Sequence, residues 1–201
     1  VFQGTNIYSL GLPSYGAITI QILQIMDQLS KPNSEESWAK QFNSATALAY
    51  TYRSHQQNPD SLAKILDYDQ ARMWAMKIQK DNLSFVDNIS NNIPESWTAS
   101  IGHTTHLTTA DDQGNVVSLT QTIGPNMGSK VVSKELGFLY AVSLGGYLGE
   151  YKPGDRSNSH ISPTLFMKKG RIQLALGAAG GSRIITAITQ VAHRYFLQKN
   201  D

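Results

Sequence analysis

The sequence predicts an α+β domain in which helices come first, antiparallel hairpins follow, and one helix closes the chain. Apolar residues recur at helical spacing between Ile18 and Ile78, and β-branched runs separated by tight-turn signals fill much of 104–176. A helical stripe then returns after Ser182. Strands that arrive as hairpins argue against parallel βαβ crossovers.

The first predicted helix carries Ile18, Ile22, Ile25 and Leu29, with Pro13 and Ser14 just ahead of it. Lys31-Pro32-Asn33-Ser34 breaks it. Asn33 and Glu36 have capping-box spacing and open a second helix to about Arg53, with Trp38, Phe42, Ala45, Ala49 and Tyr52 as its buried stripe. Asn58-Pro59-Asp60 reads as a turn. Asp67 or Asp69 caps a third helix through about Ile78 that carries Met73, Trp74 and Met76. Residues 80–103 are rich in Asn and Ser with poor periodicity, and read as a long loop.

Thr104–Ala110 is then a strand, Asp111–Asn115 a hairpin turn and Val116–Thr122 the return strand. Ile123–Ser129 is irregular. Pro163–Met167 and Ile172–Leu176 form a second hairpin around Lys169-Gly170. Gly177-Ala178-Ala179-Gly180-Gly181 leads into a helix from Ser182 to about Leu197, whose apolar face is Ile184, Ile188, Val191 and Tyr195.

Composition narrows the function. The 201 residues fit one large domain or two small ones. Charged residues make up 16%, against roughly 25% in an average soluble domain, and 3 Trp, 9 Tyr and 6 Phe supply a core. A net charge of +2 lacks the basic footprint of a nucleic-acid binder. Zero cysteines exclude a disulfide scaffold, a Cys-based zinc site and a thiol nucleophile. No apolar run reaches the roughly 18 residues of a spanning helix.

Three places can carry chemistry. Thr104-Thr105-His106 is either ordinary strand filler or the seat of a threonine nucleophile. A hydroxyl needs a nearby base, and an N-terminal threonine has one in its own amine, so Thr104 serves only once the His103–Thr104 bond is cut. The loop 177–182 is either a tight strand-to-helix connection or an oxyanion hole. Glycine lets backbone N–H groups approach developing charge at a helix N-terminus. A phosphate loop fits poorly because no Gly-Lys-Ser/Thr follows. His103 and His106 lie three apart, on opposite faces of a strand, and no third ligand accompanies them, so no metal site is assigned.

Taken as an ordered set, three patterns resemble the γ-glutamyltransferase (γ-glutamyl transpeptidase) family. They are Thr104-Thr105-His106 running to Asp112-Gln113-Gly114-Asn115-Val116-Val117-Ser118-Leu119-Thr120, then Gly128-Ser129-Lys130-Val131-Val132, then Ser162-Pro163-Thr164 with Gly180-Gly181-Ser182-Arg183-Ile184-Ile185. The opening Ile7–Gly16, with Pro13-Ser14, looks like that family's strand and the segment before a helix, and Tyr50–Arg53 through Asn58-Pro59-Asp60 looks like its next helix and turn.

The resemblance implies an N-terminal-nucleophile (Ntn) hydrolase with an αββα sandwich and a precursor that cleaves itself. It makes residues 1–103 the end of a large-subunit-like region and 104–201 the start of a small-subunit-like region, together one Ntn-type domain and an internal piece of a longer proenzyme. It implies Thr104 as nucleophile, His103–Thr104 as the cleavage site, Thr122 as a partner of the nucleophile and Gly180 and Gly181 as the oxyanion hole. No cofactor is implied. The implied partners are a γ-glutamyl or other amide substrate and the remaining segments of the proenzyme, in a periplasmic or extracellular setting. An alternative is a family member that keeps the fold as a scaffold without activity.

The departures fall on substrate recognition. Gly124 stands where the family commonly has Asn, leaving Asn126 as a stand-in. The family's polar stretch for the α-amino and α-carboxylate groups is here Tyr140–Gly146, with Ser143 and no carboxylate. Of the family's Ser-Ser pair, Ser159 matches and His160 does not. An ammonium without an anionic partner loses charge-assisted hydrogen bonds, so these departures point to a divergent member whose donor is a poly-γ-glutamate, another amide or an acyl group unlike free glutathione.

Overall fold

The computed structural model describes residues 1–51, 58–80, 103–125, 127–142 and 152–199. Their elements are β1 (Asn6–Tyr8), α1 (Gly16–Gln28), α2 (Glu35–Thr51), α3 (Pro59–Ile65), α4 (Tyr68–Lys80), β2 (Thr104–Ala110), β3 (Val116–Thr122), β4 (Thr164–Lys168), β5 (Arg171–Leu176) and α5 (Arg183–Lys199). The expected α+β order is present, with antiparallel pairing throughout the two sheets. The Asn/Ser-rich stretch expected as a loop, residues 81–102 of it, lies outside the described residues, as does Tyr52.

Helix boundaries correct two expectations and decide between the alternatives of a third. Ser34, not Asn33, caps α2: its Oγ accepts the Ser37 N–H at 3.1 Å, and its carbonyl takes the Trp38 N–H. Glu36 instead pairs with Lys40 one turn on, at 2.7 Å. Asn58-Pro59-Asp60 is the start of a helix rather than a turn alone. The Asn58 side chain accepts from the N–H groups of Asp60 and Ser61, and Pro59 takes the first helical position, where no N–H is needed. Asp67, not Asp69, caps α4, accepting the Asp69 N–H at 3.3 Å.

Two cores hold the molecule. Ile18, Ile22 and Ile25 of α1 meet Trp38, Phe42, Ala45 and Ala49 of α2, Trp74 and Ile78 of α4, and Ile185 of α5. Leu23 of α1 and Ala192 and Phe196 of α5 pack on Phe2 and on Phe166 at the centre of the three-stranded sheet β1-β4-β5. Phe166 is wholly buried, and its loss to Ala costs about 3–5 kcal/mol at such a site. Here α5 departs from its expected face. Val191 is exposed, while Ile184, Ile185, Ile188, Ala192, His193 and Phe196 are buried. The helix has neighbours on two sides, so its buried arc is wider than one stripe. His193 is fixed in this interior by the Trp38 indole N–H, which donates to its Nδ1 at 2.9 Å.

The second sheet is the hairpin β2–β3, in register from Thr104↔Thr122 to Ala110↔Val116. Its turn is closed by Asp111, whose carboxylate accepts from the Gln113 and Asn115 backbone and from the Asn115 side chain. The hairpin is amphipathic in an inverted sense. Thr104, His106 and Thr108 share one face with Ser118, Thr120 and Thr122, and this polar face turns toward β5, where Ser118 Oγ donates to the Leu176 carbonyl at 3.5 Å. The opposite face carries Leu107, Val117 and Leu119, all exposed. Among the described residues no helix is long and apolar enough to cross a membrane.

Candidate active site

The β2–β3 register places the two threonines of interest side by side, Thr104 directly across from Thr122. Thr122 Oγ1 donates to the His103 carbonyl at 3.2 Å and accepts the Gly124 N–H at 3.1 Å. The carbonyl so held is the one joined to the Thr104 nitrogen. Thr104 Oγ1 has no hydrogen-bond partner among the described residues, and Thr104 and Thr122 both line a small cavity of about 90 Å³.

The remaining walls come from distant parts of the chain. Gly181 and Ile184 enter from the start of α5, Ser159, His160 and Ile161 from the segment before β4, and Gly124, Pro125 and Val142 from the two ends of an arm that leaves β3 and returns. Tyr140 N–H to Val131 O (3.0 Å) and Val142 N–H to Ile123 O (2.8 Å) close that arm. Ser159 is held by backbone bonds to Pro13 and Tyr15, with its Oγ accepting the Ile161 N–H at 3.1 Å. His160 is buried, its ring 5.4 Å from that of Tyr15.

Gly180 and Gly181 form the turn into α5, at φ of +128° and +60°. Their carbonyls accept the N–H groups of Arg183 and Ile184, whereas their own N–H groups meet no acceptor among the described residues. Such free donors at a helix N-terminus suit an oxyanion. Gly181 reaches the cavity wall; Gly180 stands one residue behind it.

The structure thus brings Thr104, Thr122, Gly181, Ser159 and His160 around one cavity, with His103 bonded into it through Thr122. Asn126 and Ser143 lie outside the described residues. Sequence reasoning missed Asn158 and Val142 as lining residues, and neither carries a local signal. It noted Gly124 without its cause. At φ +80°, a Cβ there would overlap the Val142 carbonyl, so the position where an Asn was expected has no room for a side chain. His106, two residues along β2 from Thr104, is held below the usual histidine pKa by burial. Among the described residues no group of three His, Asp or Glu is placed to hold a metal.

A threonine at the head of a strand, a held carbonyl before it and free glycine N–H groups at a helix start define the class: a candidate self-processing acyl-transfer site. The chain belongs to the γ-glutamyltranspeptidase family, whose profile matches residues 1–201. It is similar to a glutathione hydrolase proenzyme of Pseudomonas sp. strain A14, at 28% identity over 92% of this chain and 36% of the relative. It is equally similar to that of Escherichia coli K12, at 28% over 94% and 37%. The acylase ACY 1 proenzyme of Pseudomonas sp. strain SE83 is 36% identical over 52% of this chain and 22% of that protein. The chain therefore spans little more than a third of the length of these glutathione hydrolase proenzymes.

Proposed function

We propose that this chain is the catalytic segment of a self-processing, N-terminal-threonine amidohydrolase or acyltransferase of the γ-glutamyltransferase kind, built as a partial αββα sandwich. The observation that carries the reading is the Thr122 hydrogen bond to the His103 carbonyl beside Thr104. In the precursor, Thr104 Oγ attacks that carbonyl carbon. The C–O bond forms, the His103–Thr104 C–N bond breaks, and the threonine nitrogen takes up the hydroxyl proton. Thr122 polarises the carbonyl during the attack. Water then hydrolyses the ester, leaving His103 as a carboxylate and Thr104 with a free amine and a free hydroxyl. Residues 1–103 then end one subunit and residues 104–201 begin the other.

In turnover the Thr104 amine acts as general base, directly or through water, while Oγ attacks the amide carbonyl of a γ-glutamyl or related donor. The Gly180 and Gly181 N–H groups take the oxyanion. The leaving amine departs protonated, and water or an acceptor amine resolves the acyl-enzyme. Ser159 and His160 contact the donor, joined by Asn126 and Ser143. The described cavity wall offers no carboxylate for an α-ammonium, which supports a donor other than free glutathione. The relatives' names supply the glutathione-hydrolase and acylase precedents.

Mass spectrometry of the full-length protein tests the reading: two fragments divided before Thr104, and a single intact chain for Thr104→Ala. An intact wild-type chain favours the scaffold alternative. A screen of γ-glutamyl anilide against other amides on the processed protein then identifies the donor class.

A further inference from the structure

We propose that His106 is a positioning residue, a spacer that sets how far the nucleophile strand stands from the glycine loop. The inference rests on the reading of Thr104 and Gly180–Gly181 above, and it assigns a role to a side chain that touches neither substrate nor reacting atoms.

Thr104 and His106 lie two apart on β2 and so share a face. Both ring nitrogens of His106 are engaged: Nδ1 with Thr120 Oγ1 at 2.8 Å, and Nε2 with Thr108 Oγ1 at 3.0 Å. An imidazole bonded at both nitrogens cannot turn about χ2 without leaving a partly buried polar atom unpaired. The ring is therefore a fixed block on the hairpin.

The block rests on Gly177, the first residue after β5 and the start of the loop that ends at Gly180–Gly181. A Cβ built on Gly177 would overlap Nδ1, Cγ and Cε1 of the ring. Gly177 has no left-handed φ to explain it. Its glycine is required by the imidazole. Among the described residues no strand pairing joins β2–β3 to the β1-β4-β5 sheet. The ring against Gly177, with Ser118 Oγ on the Leu176 carbonyl beside it, locates one sheet against the other just where the oxyanion loop leaves β5. Oxyanion stabilisation depends steeply on donor position, and a shift of about 1 Å costs on the order of a hundredfold in rate.

The test uses the full-length precursor with His106→Ser, Gly177→Ala and the double variant, since a serine vacates the space that the alanine methyl needs. Each single change is expected to slow cleavage before Thr104 about tenfold or more, and to lower kcat of the processed protein while KM stays within about twofold. The double variant is expected to recover part of what Gly177→Ala loses. Independent or compounding losses in the double variant, or an equal rise in KM, would overturn the proposal. Thr120→Val keeps the ring and removes one tether, and serves as the mild variant if a single change prevents folding. Glycine-selective 15N labelling gives a readout free of activity: the Gly180 and Gly181 amide resonances shift in His106→Ser and Thr120→Val. Unmoved resonances there refute the spacer even if the wild-type chain never cleaves, an outcome that would separately sink the reading of Thr104.

Discussion

The Thr122 hydroxyl donates to the main-chain carbonyl of His103 at 3.2 Å, across the hairpin from Thr104, the residue proposed to attack that carbonyl. The same oxygen accepts the Gly124 N–H, which orients its proton toward His103. A donor fixed on a carbonyl before attack needs no reorganisation as the oxygen gains charge. Thr122→Val keeps the shape of the side chain and removes the donor. Cleavage before Thr104, followed by gel or mass spectrometry, is expected to slow about a hundredfold, the usual cost of one oxyanion donor. Thr122→Ser is expected to retain most of the rate. Equal rates in the valine variant would show that the bond is incidental.

Gly124 makes the departure from the family pattern a structural matter. Its φ of +80° is tolerable for Asn, but the Val142 carbonyl occupies the side-chain direction. Gly124→Asn is therefore expected to lower stability by about 1–3 kcal/mol, the range for overpacking a filled site. It is not expected to raise activity on a γ-glutamyl anilide. Denaturant unfolding and a side-by-side rate assay measure both. A gain in γ-glutamyl activity without loss of stability would mean that the arm from 123 to 142 yields to the new side chain.

The threonine and glycine wall of this cavity was legible because it is local. Seven-residue β-branched runs on either side of the Asp111–Asn115 turn fix the pairing of Thr104 with Thr122, and a glycine run between a strand and a helix marks Gly181. The opposite wall was not. Val142 and Asn158 reach the wall from irregular segments where no period operates, and His106 looked like a poor metal ligand until Gly177 was seen beneath it. The helix at Pro59 was missed for a different reason. Asn-Pro-Asp signals a turn and a helix start alike, and only the residues after it decide. Val191 failed because a helix flanked on two sides buries more than one stripe.

Leu107 and Leu119 face each other across the outer side of the hairpin, exposed at 46% and 44%, with Val117 at 55% close by. A strand pair that turns its polar side inward and its leucines outward is built to receive another layer. The chain spans little more than a third of its proenzyme relatives, so further segments of the precursor are the expected cover. Leu107→Ser with Leu119→Ser in the full-length protein is expected to cost several kcal/mol, since each leucine deletion in a filled core costs about 2–5 kcal/mol. Thermal unfolding reads this directly. A melting temperature within a degree or two of wild type would show the face to be solvent-exposed in the whole protein.

His193 gives the fold a defined acid limit. Burial holds its pKa down to about 4, with Asp27 pulling upward and Arg194 pushing downward. The neutral ring is also the one the structure uses, because Nδ1 must be unprotonated to accept from the Trp38 indole at 2.9 Å. The unfolded chain takes up this proton near pH 6.5, while the folded chain resists it until about pH 4. Stability is therefore whole above pH 6.5 and falls between there and about pH 4, where the folded ring also protonates. The loss amounts to about 3 kcal/mol, at 1.36 kcal/mol for each unit between the two pKa values. Urea unfolding at steps from pH 7.5 to pH 4 is expected to show this slope in the wild type. His193→Gln, which cannot titrate, is expected to be less stable at neutral pH and flatter across the same window. A wild-type profile as flat as that of the glutamine variant would place the acid sensitivity elsewhere in the molecule.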